Sequence, residues 1–284
     1  MLTLRTLAAF SFAVLGVLAQ PAAPVSVKLP AGVTVKENVP YDTHPQTVMD
    51  IYKPAGAGPH PAMIVIHGGG WTGGQKSGMV AQWVRRYLEK GFVVANVEYR
   101  LAAVAKAPAA VEDALKAANF FLDHAKEYGA DPKRVAVTGG SAGGHLALMV
   151  GMTPKSAKLG KPVKVRAVVN FYGITDVDDQ LHGPNMRKYA TTWVPEGPDR
   201  TALARRVSPM TYVRRDLPPI LTVHGDADAT VPYEHGVNLT KALTEAGAKT
   251  EMISVPKGPH GFPVEVQDRI YPQIFEFLKK HGVQ

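Results

Sequence analysis

The chain contains no cysteine. That excludes disulfides, a thiol nucleophile and cysteine-ligated metal, so the fold must stand on its apolar core. Beyond residue 19 no stretch is apolar for long enough to cross a bilayer, and no integral span is expected there. Neither a G-x-x-x-x-G-K-[ST] segment nor a dinucleotide-binding glycine pattern occurs, and no cofactor is expected. Asp176, Asp178, Asp179 and His182 lack a recognisable ligand spacing, so no metal is expected either. Internal repeats and long low-complexity segments are missing. The formal charge is +8, but the cations are scattered in pairs such as Arg85-Arg86, Arg205-Arg206, Arg214-Arg215 and Lys279-Lys280. Without interleaved aromatics these form a solvated basic surface, and no nucleic-acid partner is expected.

What is present is 284 residues with 45% hydrophobic content, enough for one large α/β domain. The first nineteen residues stand apart. Arg5, an apolar run through Phe10, Phe12, Val14, Leu15 and Val17, and a Val17-Leu18-Ala19 end fit a secretory signal peptide over 1–19, cleaved before Gln20. Export to the periplasm or beyond the cell follows as an expectation. Residues 20–31, rich in Pro and Ala, read as a tether, and 32–284 as the domain itself.

Within that domain a rhythm of short apolar runs and amphipathic stretches sets in. Val33–Tyr41 and Thr47–Tyr52 predict two opening strands on an antiparallel edge. Ala62–Ile66, Phe92–Val97, Val135–Val137, Val165–Phe171, Ile220–Val223 and Lys249–Val255 predict further strands. Helical spacing occupies Met79–Lys90, Ala109–Ala125, Glu234–Ala246 and Val264–Lys280. Alternation of this kind predicts a mostly parallel sheet with helices on both faces, its site on loops beyond the strands' carboxyl ends. Residues 173–215, polar and rich in Pro and Arg, are too long for an ordinary connection and predict a small lid insert.

Arg134–Met149 reads RVAVTGGSAGGHLALM: a strand, a glycine-rich turn and a helix. Gly139-Gly140-Ser141-Ala142-Gly143 fits G-x-S-x-G, which places a serine on a sharp strand-to-helix turn with its hydroxyl exposed. Ser141 is the candidate nucleophile, set at the positive end of the following helix. His67-Gly68-Gly69-Gly70-Trp71 follows another strand and leaves bare backbone N–H groups where an oxyanion needs donors. Gly69, Gly70 and Ala142 are the candidate donors. His67 is expected to brace this loop, while Trp71 either walls the cleft or packs.

A serine hydroxyl needs a base, and the base an orienting carboxylate, in the chain order Ser, acid, His. Val223-His224-Gly225-Asp226-Ala227-Asp228 runs off a strand into a loop with two acids. Asp228 lies further past the strand and is the candidate acid; Asp226 suits the turn. Of the later histidines, His235 opens a helix and His281 sits in the tail. His260, in Gly258-Pro259-His260-Gly261, occupies the loop after the last strand and is the candidate base.

These segments, with Tyr99-Arg100-Leu101-Ala102, Pro108–Asp113 and Val48–Pro54, resemble serine esterases of the α/β-hydrolase fold. The chain is similar to the hormone-sensitive-lipase type and to the bacterial feruloyl/acetyl-esterase-like (BD-FAE type) branch. Two departures stand out. The large N-terminal helical cap of hormone-sensitive-lipase relatives has no counterpart, and Ala103-Val104 replaces the Pro-Glu usual after Tyr99-Arg100-Leu101-Ala102. Both favour an open cleft. The resemblance implies an acyl-enzyme esterase acting on short-chain or aromatic acyl esters, small or carbohydrate-linked. An aryl-formamide amidase would use the same residues. A non-catalytic binding module would be expected to lack a triad member or an oxyanion glycine, and all of these are kept.

Overall fold

Eight strands form one sheet in the computed structural model, which describes residues 27–284. The expected signal peptide, 1–19, and the tether as far as residue 26 lie outside the described residues. In chain order the strands are β1 Thr34–Pro40, β2 Val48–Lys53, β3 His60–Ile66, β4 Val93–Val97, β5 Ala130–Gly140, β6 Ala167–Phe171, β7 Ile220–Gly225 and β8 Thr250–Val255. Their spatial order is β1-β2-β4-β3-β5-β6-β7-β8. β1 and β2 pair antiparallel, as does β2 with β4, and the remaining pairs are parallel. The opening strands therefore form the antiparallel edge that their position in the sequence suggested.

Side chains alternate across a strand, so a central strand feeds two cores. Ala62, Ile64 and Ile66 of β3, with Val135 and Val137 of β5, join one core. Met63, Val65 and Ala136 join the other. The first core is covered by α2 (Ala109–His124), α3 (Ala142–Met152) and α6 (Glu234–Glu245), through residues such as Leu115, Leu146 and Leu239. The second is covered by α1 (Arg85–Leu88) and α7 (Val264–Lys280), through Tyr87, Leu88, Ile274 and Phe277. An apolar run that looks uniform in sequence is thus divided residue by residue between two helical layers.

Two elements depart from their sequence outlines. β5 extends well beyond Val135–Val137, because backbone pairing carries it out to Ala130, opposite His60, through polar residues with no apolar signature. The helix expected over Met79–Lys90 is a 3₁₀ turn (Lys76–Met79), a π turn (Val80–Val84) and only then α1. Its entry has no side-chain cap. Lys76 is instead held by tertiary partners: its Nζ reaches Asp50 at 2.8 Å, and its carbonyl accepts from Asn96 Nδ2 at 2.7 Å. The widened turn lets Trp83 and Val84 face inward.

Residues 173–215 run between β6 and β7 as short helical pieces, including α4 (Lys188–Trp193) and α5 (Arg200–Arg206). Ala190, Trp193, Ala204 and Val207 are fully buried in the first core. Trp193 stacks on Trp71 with ring centroids 4.1 Å apart. The inner side of the insert is core, and its outer rim borders the cleft described next.

Candidate active site

The turn after β5 holds Ser141 at φ 59° and ψ −124°, a left-handed conformation that a serine adopts only under constraint. Its N–H donates to Phe171 O at 3.0 Å, and its carbonyl accepts from His145 N at 3.0 Å. The turn can be this tight because α3 crosses β3 at Gly143, where an added Cβ would lie 2.1 Å from Ile66 O. Only glycine fits there, so strand and helix meet with Ser141 held at the helix start. His145, on the same helix, is fully buried. Its Nδ1 accepts from Trp71 Nε1 at 3.1 Å and its Nε2 donates to Val207 O at 2.7 Å. Burial lowers its pKa to about 4, so it is neutral, as these two bonds require. This one ring joins the nucleophile's helix, the glycine loop and the insert.

On the adjoining loop His67 braces the backbone, as expected. Nε2 lies 2.8 Å from Glu98 Oε1, Nδ1 lies 2.7 Å from Gly68 O, and the ring stacks on Tyr99 at 4.2 Å. Burial works against the Glu98 charge, but the His67 contact and the Lys76 N–H outweigh it and lower its pKa. Trp71 is fully buried and packs; it does not wall the cleft. Gly70 has φ 59°, and an added Cβ would lie 2.6 Å from the Tyr189 side chain. The loop therefore meets the insert with bare backbone. Gly69, Gly70 and Ala142 follow the strand ends of β3 and β5, and among the described residues their N–H groups donate to no protein acceptor.

The loops after β7 and β8 bring the candidate acid and base together. His260 Nδ1 lies 2.8 Å from Asp228 Oδ2. The Asp228 side chain is fully enclosed, whereas that of His260 is 23% exposed and so accessible from the cleft. Asp228 Oδ1 accepts from the N–H groups of Thr230 (2.8 Å) and Val231 (2.9 Å). Burial favours the neutral acid, but hydrogen bonds from His224 and His260 and the Val231 N–H win, holding this carboxyl well below the usual range. Asp226 serves the turn: its Oδ1 accepts from Lys257 N at 2.5 Å, tying this loop to the His260 loop. His235 is buried beneath the insert, accepting from Thr175 N at 3.1 Å, and His281 lies at the chain end.

Ser141 and His260 line one cleft of about 380 Å³, with Gly68–Gly70, Met79, Trp83, Tyr172, Tyr189 and Thr230. No hydrogen bond joins Ser141 to His260 among the described residues, and such bonds often form only when substrate is bound. The candidate nucleophile, the candidate base with its buried partner and uncommitted backbone N–H groups thus face a single space. Asp176, Asp178, Asp179 and His182 do not enter it, and no metal-type cluster occurs among the described residues.

Sequence reasoning missed His224. Its ring is fully buried, with Nε2 3.1 Å from Val231 O and 3.3 Å from Asp228 Oδ2, so one N–H is shared between them. The signal was its position four residues before Asp228, one residue before the end of β7. His224→Leu should lower kcat about tenfold with KM little changed, as loss of a hydrogen bond to a charged group predicts. His224→Gln should recover part of the loss. Intact kcat with only a lowered melting temperature would reduce His224 to packing.

Residues 49–243 match the model of the BD-FAE family. A probable carboxylic ester hydrolase, LipM, of Mycobacterium tuberculosis is 31% identical over 72% of this chain and 50% of its own length. Esterase LipQ of the same organism is 27% identical over 76% of this chain and 54% of its own. The chain spans about half the length of these curated relatives. Among solved structures, a truncated carbohydrate esterase from gut microbiota superposes with a TM-score of 0.78 at 28% identity, covering 88% of this chain and 97% of that one. Esterase 2 of Thermogutta terrifontis in its apo form gives 0.73 at 27% identity, covering 89% and 96%. These likenesses show the α/β-hydrolase fold.

Proposed function

The chain belongs to the BD-FAE family, and from that premise we propose that it is a serine carboxylic-ester hydrolase working through an acyl-enzyme. The observation that carries this reading is the cleft shared by Ser141, His260 and the bare backbone of Gly68–Gly70, with Asp228 bonded behind the imidazole. Ser141 Oγ attacks the ester carbonyl as His260 Nε2 takes its proton. Asp228 holds the ring in the Nδ1–H tautomer and stabilises the imidazolium. Negative charge grows on the carbonyl oxygen, and the N–H groups of Gly69, Gly70 and Ala142 receive it. Collapse of this adduct breaks the bond to the alcohol, which leaves with the proton from His260. Water then attacks the acyl-serine with His260 again as base, releasing the acid and restoring the hydroxyl.

We assign short-chain or aromatic acyl esters as substrates, and acetyl or feruloyl groups on carbohydrate as the natural class. The carbohydrate esterase among the structural neighbours supports this assignment, as does a cleft lined by backbone and a few aromatics. We also propose export, on the apolar leader of residues 1–19. The test is turnover by the purified protein of p-nitrophenyl esters of increasing acyl length, acetylated xylan, methyl ferulate and an aryl formamide. Short acyl chains should be fastest, with acetate or ferulate released from the other two esters. If only the small aryl esters react, the carbohydrate assignment fails; if the formamide outruns every ester, the protein is an amidase.

A further inference from the structure

One residue in the cleft has a geometry that neither the triad nor the oxyanion trap requires. Tyr172 is the first residue past the carboxyl end of β6, and its φ is +37°, in the left-handed region. A tyrosine gains nothing intrinsic from that conformation, so the surroundings must impose it. They do: its N–H donates to Val223 O at 2.8 Å, and the next residue's N–H donates to Asn170 Oδ1 at 3.0 Å. The ring is then wedged edge-on between His260 (centroids 4.8 Å apart) and Phe262 (5.2 Å). Turned back in this way, the phenol lies across the nucleophile turn. Its oxygen is 3.0 Å from where a side chain on Gly140 would begin.

The chemistry of that oxygen is unclaimed. Tyr99 donates its phenol to His67 O at 3.2 Å and Tyr189 donates to Gln180 Oε1 at 2.8 Å, whereas the Tyr172 hydroxyl has no partner among the described residues. Met79 and Trp83, which line the same cleft, contribute mostly apolar surface. Burial first, then the Asp228 charge, push its pKa upward, so the phenol remains a donor at any working pH. A fixed hydroxyl donor in a largely apolar half-cleft is an arrangement by which a site selects for one oxygen atom.

We propose that Tyr172 is a specificity-determining residue whose phenol O–H donates to a hydroxyl, ether or carbonyl oxygen carried by the substrate next to its scissile ester. The inference rests on the ester-hydrolase reading above and names the substrate class within it: oxygenated esters over their hydrocarbon equivalents. That oxygen belongs either to the acyl group or to the alcohol, and isosteric ester pairs separate the two.

The experiment measures kcat/KM of the wild-type protein and of Tyr172→Phe on two pairs. p-Nitrophenyl methoxyacetate against p-nitrophenyl butyrate places the oxygen in the acyl group. 2-Methoxyethyl acetate against butyl acetate places it in the alcohol. Intrinsic reactivity differs within each pair but cancels when the variant is compared with the wild type. In one pair the preference for the oxygenated member should fall about tenfold in the variant, the size expected from one hydrogen bond to a neutral acceptor. That pair identifies the side. Unmoved preferences in both pairs overturn the inference, whatever the variant does to overall rate. Ser141→Ala run on the same esters keeps the two readings apart. If it retains turnover, the ester-hydrolase reading fails; if it is inactive while Tyr172→Phe shifts neither preference, only the inference about Tyr172 fails.

Discussion

Ser141→Ala should lower kcat on p-nitrophenyl acetate by about 10⁶-fold, the loss typical when the nucleophile of a serine hydrolase is removed. The size follows from what remains. Gly69, Gly70 and Ala142 would still offer their N–H groups, and His260 would still bear on Asp228, but no oxygen would be left for the imidazole to activate. Residual rate, roughly 10³–10⁴ over water, would come from binding and the oxyanion donors. The fold should survive, because Ser141 is held by its backbone bonds to Phe171 O and His145 N. Alanine at a left-handed φ is no worse placed than serine. A circular dichroism melt beside the assay therefore separates lost chemistry from lost structure. Turnover unchanged in a folded Ser141→Ala protein would remove the serine mechanism altogether.

The second large effect is expected at Asp228. Asn there keeps the shape but cannot hold His260 in the Nδ1–H tautomer, and kcat should drop about 10⁴-fold. Four donors converge on this carboxylate: the rings of His224 and His260 and the N–H groups of Thr230 and Val231. The amide of Asn can accept through only one of its two ends. Stability should respond to pH accordingly. The folded pKa of Asp228 is depressed, so its contribution is complete above the ordinary aspartate value of about 3.9 and is lost as pH falls through the folded value. Urea unfolding should show the wild-type protein more stable than Asp228→Asn at pH 7, with the gap narrowing below about pH 4. A gap that does not change between pH 7 and pH 3 would mean that the carboxylate charge contributes nothing to the fold.

Much of the site was legible because its parts are local motifs. The Gly139–Gly143 turn needs small residues on both sides of Ser141 wherever strand and helix cross, and Gly143 against Ile66 O is the contact that demands them. The chain order of acid and base, and their positions after the last two strands, reduced the choice to Asp228 and His260, which the structure joins at 2.8 Å. Other residues carry no local mark. Glu98, which anchors His67, is one acid among 24 Asp and Glu. Tyr172 reads as an unremarkable strand end, and nothing in Phe171-Tyr172-Gly173 announces a left-handed tyrosine. Trp71 was ambiguous for the same reason: its stacking partner, Trp193, is far along the chain.

The two sides of this division differ in the range of the forces involved. Period-two burial, glycine at forced crossings and serine at a helix start are decided within a few residues. For that reason the sequence by itself determined the mostly parallel sheet and the strand-turn-helix elbow, and it placed the candidate donor loop and the order of candidate acid and base. Only the tertiary structure decided which groups close the site. The insert's Tyr189 seats on Gly70, His224 directs one N–H toward both Val231 O and Asp228, and the Tyr172 phenol has no partner among the described residues beside the nucleophile turn. Each of these depends on packing between segments distant in the chain, where burial and the satisfaction of every enclosed polar group outweigh local preference.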